Sequence, residues 1–284
     1  MTKDEVEQLE TRVNQSTSIV ADIMDRVPKW AQSQILIGYR GSQAHGTTLP
    51  PEHPKGTDDI DVFGVSVQPI QFYCGLRAPK DREVFTTAGE DLDIEIFDIR
   101  KLVGLLEKGN PNVHQWLWMD DYLLISPLGQ LLRSRREGFL GTHMLKAFGG
   151  YAKSQVDRMN DGRKRGYMGE KRNKLLLEHG YDIKNAAHCI RLLVGGIHLA
   201  LTNKILVKLE GKMLAQILAV KRGEWELEAV VEVVRLLMEE FDESVAQTTL
   251  PSGEGMRAWS NETLDLIFTS PTYIHESKMK RRLL

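Results

Sequence analysis

Two short stretches of this chain alternate carboxylate and aliphatic side chains: Asp59, Ile60, Asp61, Val62, and later Leu92, Asp93, Ile94, Glu95, Ile96, Phe97. Successive side chains of a strand point to opposite faces. Each stretch therefore predicts a strand with one acidic face and one apolar face, the apolar face packed into a core. Two acidic faces brought together in one sheet repel each other unless a cation lies between them. The pattern limits the fold to a sheet built around a cation site.

A further strand is predicted from Gln34, Ile35, Leu36, Ile37, Gly38 and Tyr39, running into a turn of Gly41, Ser42, Gln43, Ala44, His45, Gly46 and Thr47. Glycine lets the backbone approach a ligand closely, and exposed amides with the Ser42 hydroxyl can hold phosphate oxygens. Alone, a Gly-Ser turn is usually only a turn, and an Asp-x-Asp is often a cap or a solvated loop. In the order strand, Gly-Ser, Asp-x-Asp, second acidic strand, they describe a metal-dependent site for nucleotide phosphates. Three carboxylates converging on hard cations suit in-line displacement at phosphorus, where two ions roughly 3.5–4 Å apart stabilise the attacking and leaving oxygens.

Composition narrows the partners. The formal charge is −2 over 284 residues, which argues against binding nucleic acid through bulk charge, so polyanion contacts must come from local basic patches. With 42% hydrophobic and 27% charged residues, the chain is long enough for one large domain or two smaller ones. Cys74 and Cys189 are too few and too far apart for a disulfide framework or a zinc ligand set, and both are expected as small, partly buried thiols. The N-terminus lacks the charged and apolar regions of a signal peptide, and no stretch approaches 18 uninterrupted apolar residues. A cytosolic, cytoplasmic protein without a membrane segment is expected.

An amphipathic helix is predicted from Asp4 to about Val27, ended by Pro28. Strands near residues 34 to 39, 59 to 67 and 91 to 97 follow, with an exposed loop from Leu49 to Gly56 that can gate substrate. Residues Ile99 to Lys108 read as a helix stopped at Gly109, Asn110, Pro111 and Asn112, and another begins near Val113. Beyond Pro127, long helical patterns take over, at Leu140 to Met159, Asp182 to Leu201, Gly211 to Val220 and Glu226 to Val245. Thr248 to Met256 reads as a linker before a last short helix and the basic tail Lys278, Lys280, Arg281, Arg282. The expected fold class is α+β. Residues 1–126 form a small mixed β-sheet domain with flanking helices, and residues 127–284 an all-helical C-terminal domain.

Within the helix at residues 182–201, Lys184, His188 and Arg191 fall at i, i+4 and i+7, within about 60° of one another. Ala187, Ile190, Val194, Ile197 and Leu201 are expected on the opposite, packed side. A Lys and an Arg supply point and forked cationic contacts to a triphosphate, and a His can donate to phosphate or transfer a proton. A basic stripe is otherwise commonly a solvated helix face. Arg163, Lys164, Arg165, Lys171, Arg172 and Lys174, with Tyr167 among them, suit an RNA or DNA backbone. Trp116 and Trp118 are expected in the core. His45 is expected either near the phosphates or simply exposed.

At these residues the chain resembles a known family, the predicted nucleotidyltransferases of the DNA polymerase beta superfamily, in the branch named for an RNA-repair-associated member. The resemblance rests on Gly41 to Thr47, Thr57 to Gly64, Asp98 to Leu102, Lys108 to Asn112, Gly166 to Arg172, His179 to Leu193, and Ile217 to Trp225. It implies a small mixed sheet flanked by helices, then a helical domain, with the active site between them. By similarity, Gly41 and Ser42 hold the triphosphate, and Asp59 and Asp61 bind magnesium or manganese. The third acid aligns as either Asp93 or Glu95, with Asp93 favoured as metal ligand or base. The loop from Leu49 to Lys55 is longer than the usual connection in this family.

The reaction these features imply is transfer of a nucleoside monophosphate from a nucleoside triphosphate, expected to be ATP, to a hydroxyl, with pyrophosphate leaving. The acceptor is an RNA 3′ end, favoured by the basic segment Arg163 to Lys174, or a protein or small-molecule hydroxyl. One rival is a non-catalytic triphosphate-binding regulator, which does not need a third carboxylate. Another is a metal-dependent phosphoesterase, which does not need Gly41 and Ser42 beside a triphosphate-sized basic face.

Overall fold

The computed structural model describes residues 3–50, 52–53, 60–74, 84–87, 92–160 and 176–281. Helix α1 (Lys3–Arg26) precedes strand β1 (Gln34–Tyr39), helix α2 (Gly41–His45), strand β2 (Ile60–Ser66), helix α3 (Ile70–Cys74), strands β3 (Val84–Thr87) and β4 (Leu92–Asp98), helices α4 (Ile99–Glu107) and α5 (Pro111–His114), and strand β5 (Leu124–Ile125). Helices then follow: α6 (Pro127–Ser134), α7 (Thr142–Asn160), α8 (Ile183–Thr202), α9 (Gly211–Arg222), α10 (Leu227–Gln247), α11 (Met256–Thr269) and α12 (Pro271–Arg281). The fold is α+β, with a small mixed sheet towards the N-terminus and helices towards the C-terminus.

The sheet has five strands in the order β3-β4-β2-β1-β5. Strands β2 and β4 run parallel at its centre, and the remaining pairs are antiparallel. Period two sorts its side chains into two layers. Ile37, Val62, Ile94 and Ile96 face α1 and are buried with Ile23 and Val27. Leu36, Phe63, Val65 and Phe97 face the other way, into a core shared with Leu102 and Leu106 of α4. The site carboxylates stand on this second face.

A separate core joins α7, α8, α9 and α10 through Met144, Phe148, Ile190, Leu193, Ile217 and Phe241. The boundary expected near residue 126 falls between β5 and α6. The last two helices return to the sheet, because Met256, Ile267 and Tyr273 bury themselves in its second-face core. Tyr273 also donates from its hydroxyl to Gln68 O at 2.9 Å.

Several local readings need correction. The single last helix is two, and the basic tail is helical through Arg281. Strands β3 and β5 were not anticipated; they are 4 and 2 residues long, too short for alternation to register. Helix α6 was missed despite Ser126 accepting from Gly129 N at 3.2 Å and Pro127 in its first turn, an N-terminal signature available in the sequence. The Gly-Ser turn is the first turn of helix α2. Cys189 is buried as expected, whereas Cys74 is exposed.

Candidate active site

A cavity of ≈ 660 Å³ opens where the second face of the sheet meets α8 and α9, a volume in the range of small-molecule sites. Asp61, Asp93 and Glu95 line one wall. In the parallel β2–β4 register, Asp61 stands beside Asp93 and Phe63 beside Glu95, so period two turns all three carboxylates to one face. The apolar partners at alternate positions, Val62, Ile94 and Ile96, are buried on the other.

Arg40 follows β1 and lies between two of these acids. Its guanidinium is 3.4 Å from Asp61 Oδ1 and 3.6 Å from Glu95 Oε2, and its backbone N–H donates to Asp61 O at 2.9 Å. Gln43 of α2 accepts from Asp61 N at 3.0 Å. Gly41 has φ +60°, and a Cβ there would sit 2.6 Å from Asp61 Oδ2. Only glycine lets the first turn of α2 approach the carboxylate this closely. Ser42 lines the cavity beside it.

Helix α8 supplies the opposite wall. Asp182 caps its start by accepting from Lys184 N and Asn185 N, both at 3.1 Å. Lys184, His188 and Arg191 all line the cavity, as their spacing predicts, and Ala187 lines it with them. Ala187 is buried in the helical core, as expected, and reaches the cavity as well. At 100° per residue it lies about 40° from Arg191, while Ile190 and Ile197 are buried in the helical core and Leu201 is exposed.

The electrostatics of this wall are unusual. Burial lowers the Arg191 guanidinium to about 10, which leaves it cationic, and among the described residues it forms no ion pair. Burial, with Arg191 and Arg158 nearby, lowers His188 to about 3. His45 also falls to about 3, through burial and then Arg191, against a bond to Val207 O that favours its charged form. Far from being exposed, His45 is 3% accessible, and its Nδ1 donates to Val207 O at 2.7 Å. Both histidines are thus neutral at neutral pH.

Lys221 of α9 was not among the expected site residues. It lines the cavity, and its Nζ donates to Thr47 O just after α2. Burial and Lys184 lower it to about 8, against the pull of Asp61. Its signal was available as the i, i+4 pair Ile217 and Lys221, both of which face the cavity. Arg40, Asn112, Gln115 and Trp116 complete the lining. Trp116 is buried as expected and stacks on Phe63 with centroids 4.3 Å apart.

Of the expected site residues, Gly41, Ser42, Asp61, Asp93, Glu95, Lys184, His188 and Arg191 share this one cavity. Asp59 lies outside the described residues, as do Arg163, Lys164, Arg165, Lys171, Arg172 and Lys174. Among the described residues, no three His, Cys, Asp or Glu side chains form a metal-holding group. The Arg40 guanidinium between Asp61 and Glu95 nevertheless marks a cation position at this wall, and the hard oxygen donors fit magnesium or manganese. No helix among the described residues is long and apolar enough to cross a membrane.

Comparison with known families gives one match: the pattern of RlaP, the RNA repair pathway DNA polymerase beta family, aligns with residues 17–269. Comparison with curated proteins gives none.

Proposed function

The chain belongs to the RNA repair pathway DNA polymerase beta family, and from that premise we propose that it is a nucleotidyltransferase of RNA repair. It moves a nucleoside monophosphate from a nucleoside triphosphate, ATP in our reading, to a hydroxyl acceptor. The acceptor oxygen bonds to the α-phosphorus, the bond from that phosphorus to the α–β bridging oxygen breaks, and pyrophosphate leaves with the electron pair. The observation that carries this reading is a single cavity with carboxylates on one wall and Lys184, Arg191 and Lys221 on the other.

Each residue has an assigned part. The amides at Gly41 and Ser42, with Lys184, His188, Arg191 and Lys221, bind the triphosphate and hold the charge that grows on the leaving group. Asp59, Asp61 and Asp93 are the residues to hold magnesium or manganese. A metal held by these residues would supply positive charge against the phosphoryl oxygens. Asp93 also accepts the proton of the acceptor hydroxyl, with Glu95 as its alternate. The Arg40 guanidinium 3.6 Å from Glu95 already engages that carboxylate, which favours this order.

The first experiment incubates the protein with each α-labelled nucleoside triphosphate and magnesium, alone and with RNA or cell lysate, and resolves pyrophosphate and labelled products. Label on RNA supports the RNA acceptor, and label on a protein band or small molecule redirects it. Saturable binding without pyrophosphate favours a triphosphate-sensing regulator. Asp59→Asn is expected to lower turnover at least roughly 10²-fold, about 2.7 kcal/mol, and a fully active variant overturns the assignment. Neutralising Arg163, Lys164 and Arg165 is expected to abolish RNA labelling while leaving nucleotide binding intact. Unchanged labelling removes that segment from the acceptor path.

A further inference from the structure

The cavity is also lined by uncharged polar and apolar side chains. Asn112 and Gln115, one turn apart across α5 and the 3-10 turn that follows it (Gln115–Leu117), both line it. Gln115 is only 5% exposed, and among the described residues neither its side-chain amide nor that of Asn112 has a hydrogen-bond partner. Buried amides are ordinarily paired. Lining the cavity without such a partner, these amides are available to whatever fills it.

The support behind these amides is rigid. Asn110 caps α5 by accepting from Asn112 N at 3.0 Å, and its own amide donates to Tyr151 Oη at 3.0 Å. On the rear face, Val113 and Leu117 are buried in the sheet core, and His114 Nε2 lies 2.9 Å from Leu106 O. The i, i+3 relation leaves Asn112 and Gln115 on the front. Trp116 is fixed against Phe63 and Phe97, and Leu49 and Ile217 add apolar lining.

We infer that Asn112 and Gln115 read the hydrogen-bonding edge of a nucleobase whose ring packs against the apolar lining of the same cavity. Resting on the transferase reading above, this deepens it by naming what selects the base. A carboxamide offers a donor and an acceptor side by side, matching the adjacent donor and acceptor on a base edge, as glutamine and asparagine match adenine. Phosphate, which only accepts, is better served by Lys184, Arg191 and Lys221. A ribose hydroxyl engages only one half of an amide. The base belongs either to the incoming nucleotide or to the terminal nucleotide of an RNA acceptor.

The test is calorimetric titration of wild type, Asn112→Ala, Gln115→Ala and Gln115→Glu with ATP, GTP, CTP, UTP and inorganic tripolyphosphate. A second arm measures label transfer to RNAs ending in each of the four bases. Wild type is expected to favour one triphosphate by at least about tenfold, and the variants to lose that ranking while tripolyphosphate affinity, which also reports correct folding, is unchanged. Variants that keep the triphosphate ranking but lose the ranking among RNA ends assign the same amides to the acceptor base. Variants that keep both rankings, or a wild type with no ranking of either, overturn the inference. A wild type that binds neither nucleotides nor tripolyphosphate overturns the transferase reading along with it.

Discussion

The two walls of the cavity solve the problem of charge in opposite ways. On the sheet wall, Asp61 and Glu95 are partly exposed and share Arg40 as a counterion. On the helix wall, burial lowers Arg191, which has no ion pair among the described residues, Lys221 is pushed down to about 8, and His45 and His188 are driven neutral. The acids come to a cation with one cation already among them. The cations wait for an anion that the described protein does not supply. A buried unpaired charge is costly, and on the function proposed above a bound polyphosphate would offset that cost.

The sharpest way to break this asymmetry is to neutralise each wall in turn. Asp61→Asn is expected to lower turnover at least 10²-fold, about 2.7 kcal/mol, while affinity for tripolyphosphate without metal stays the same or improves. A loss of metal-free tripolyphosphate binding equal to the loss of turnover would show that the walls do not divide the work. Arg191→Met is expected to do the reverse to binding, with about 2 kcal/mol, roughly 30-fold, lost in triphosphate affinity, in line with charge-assisted hydrogen bonds. It should also raise the Tm of the ligand-free protein, since an apolar side chain replaces a desolvated charge. A lower Tm in this variant would mean that the guanidinium already has adequate solvation.

The acid wall was far easier to read from sequence than the basic one. Strict alternation in residues 92–97 fixes which side chains share a face, and the observed register of Asp61 with Asp93 follows from it. The stripe of Lys184, His188 and Arg191 was equally visible, because helical spacing is local. What helical spacing does not carry is depth. Arg191 and Lys184 are one stripe in sequence, yet one is partly buried and the other exposed. Lys221 was missed for the same reason: its reach to Thr47 O crosses 174 positions of the chain. The amide of Gln115 gives no sequence signal, since its meaning comes only from burial without a partner.

The histidines extend the contrast to pH. His45, His188 and the core residue His114 have folded values of about 3, 3 and 4, below the ordinary 6.5. A lowered folded value means that the unfolded chain binds more protons in the interval between the two values, so stability rises with pH there. Stability is full above about pH 6.5 and is lost as pH falls from there towards the folded values. The slope approaches about 1.4 kcal/mol per pH unit for each histidine. Urea melts at pH 7, 6 and 5 are expected to show this early loss, and His45→Gln or His188→Gln to reduce it. A Cm constant from pH 7 to 5 would mean these rings already protonate in the folded protein.

The smallest expected effect is also the most local. Lys221 has a value of about 8 in the ligand-free protein because burial and Lys184 disfavour its charge. A bound triphosphate favours the charged form and raises that value towards the ordinary lysine range. Affinity should then be greatest below about pH 8 and fall as pH rises through it, because binding above that point must also recruit a proton. The expected loss is up to about tenfold, 1.4 kcal/mol, per pH unit. Between pH 7.5 and 9.5 the triphosphate is already fully ionised, so the slope belongs to the protein. Lys221→Met is expected to flatten it, and Lys221→Arg to flatten it while keeping more of the affinity, since an arginine stays charged throughout. Identical slopes in wild type and Lys221→Met would remove Lys221 from the phosphate contacts and leave its bond to Thr47 as a tie between α9 and the end of α2.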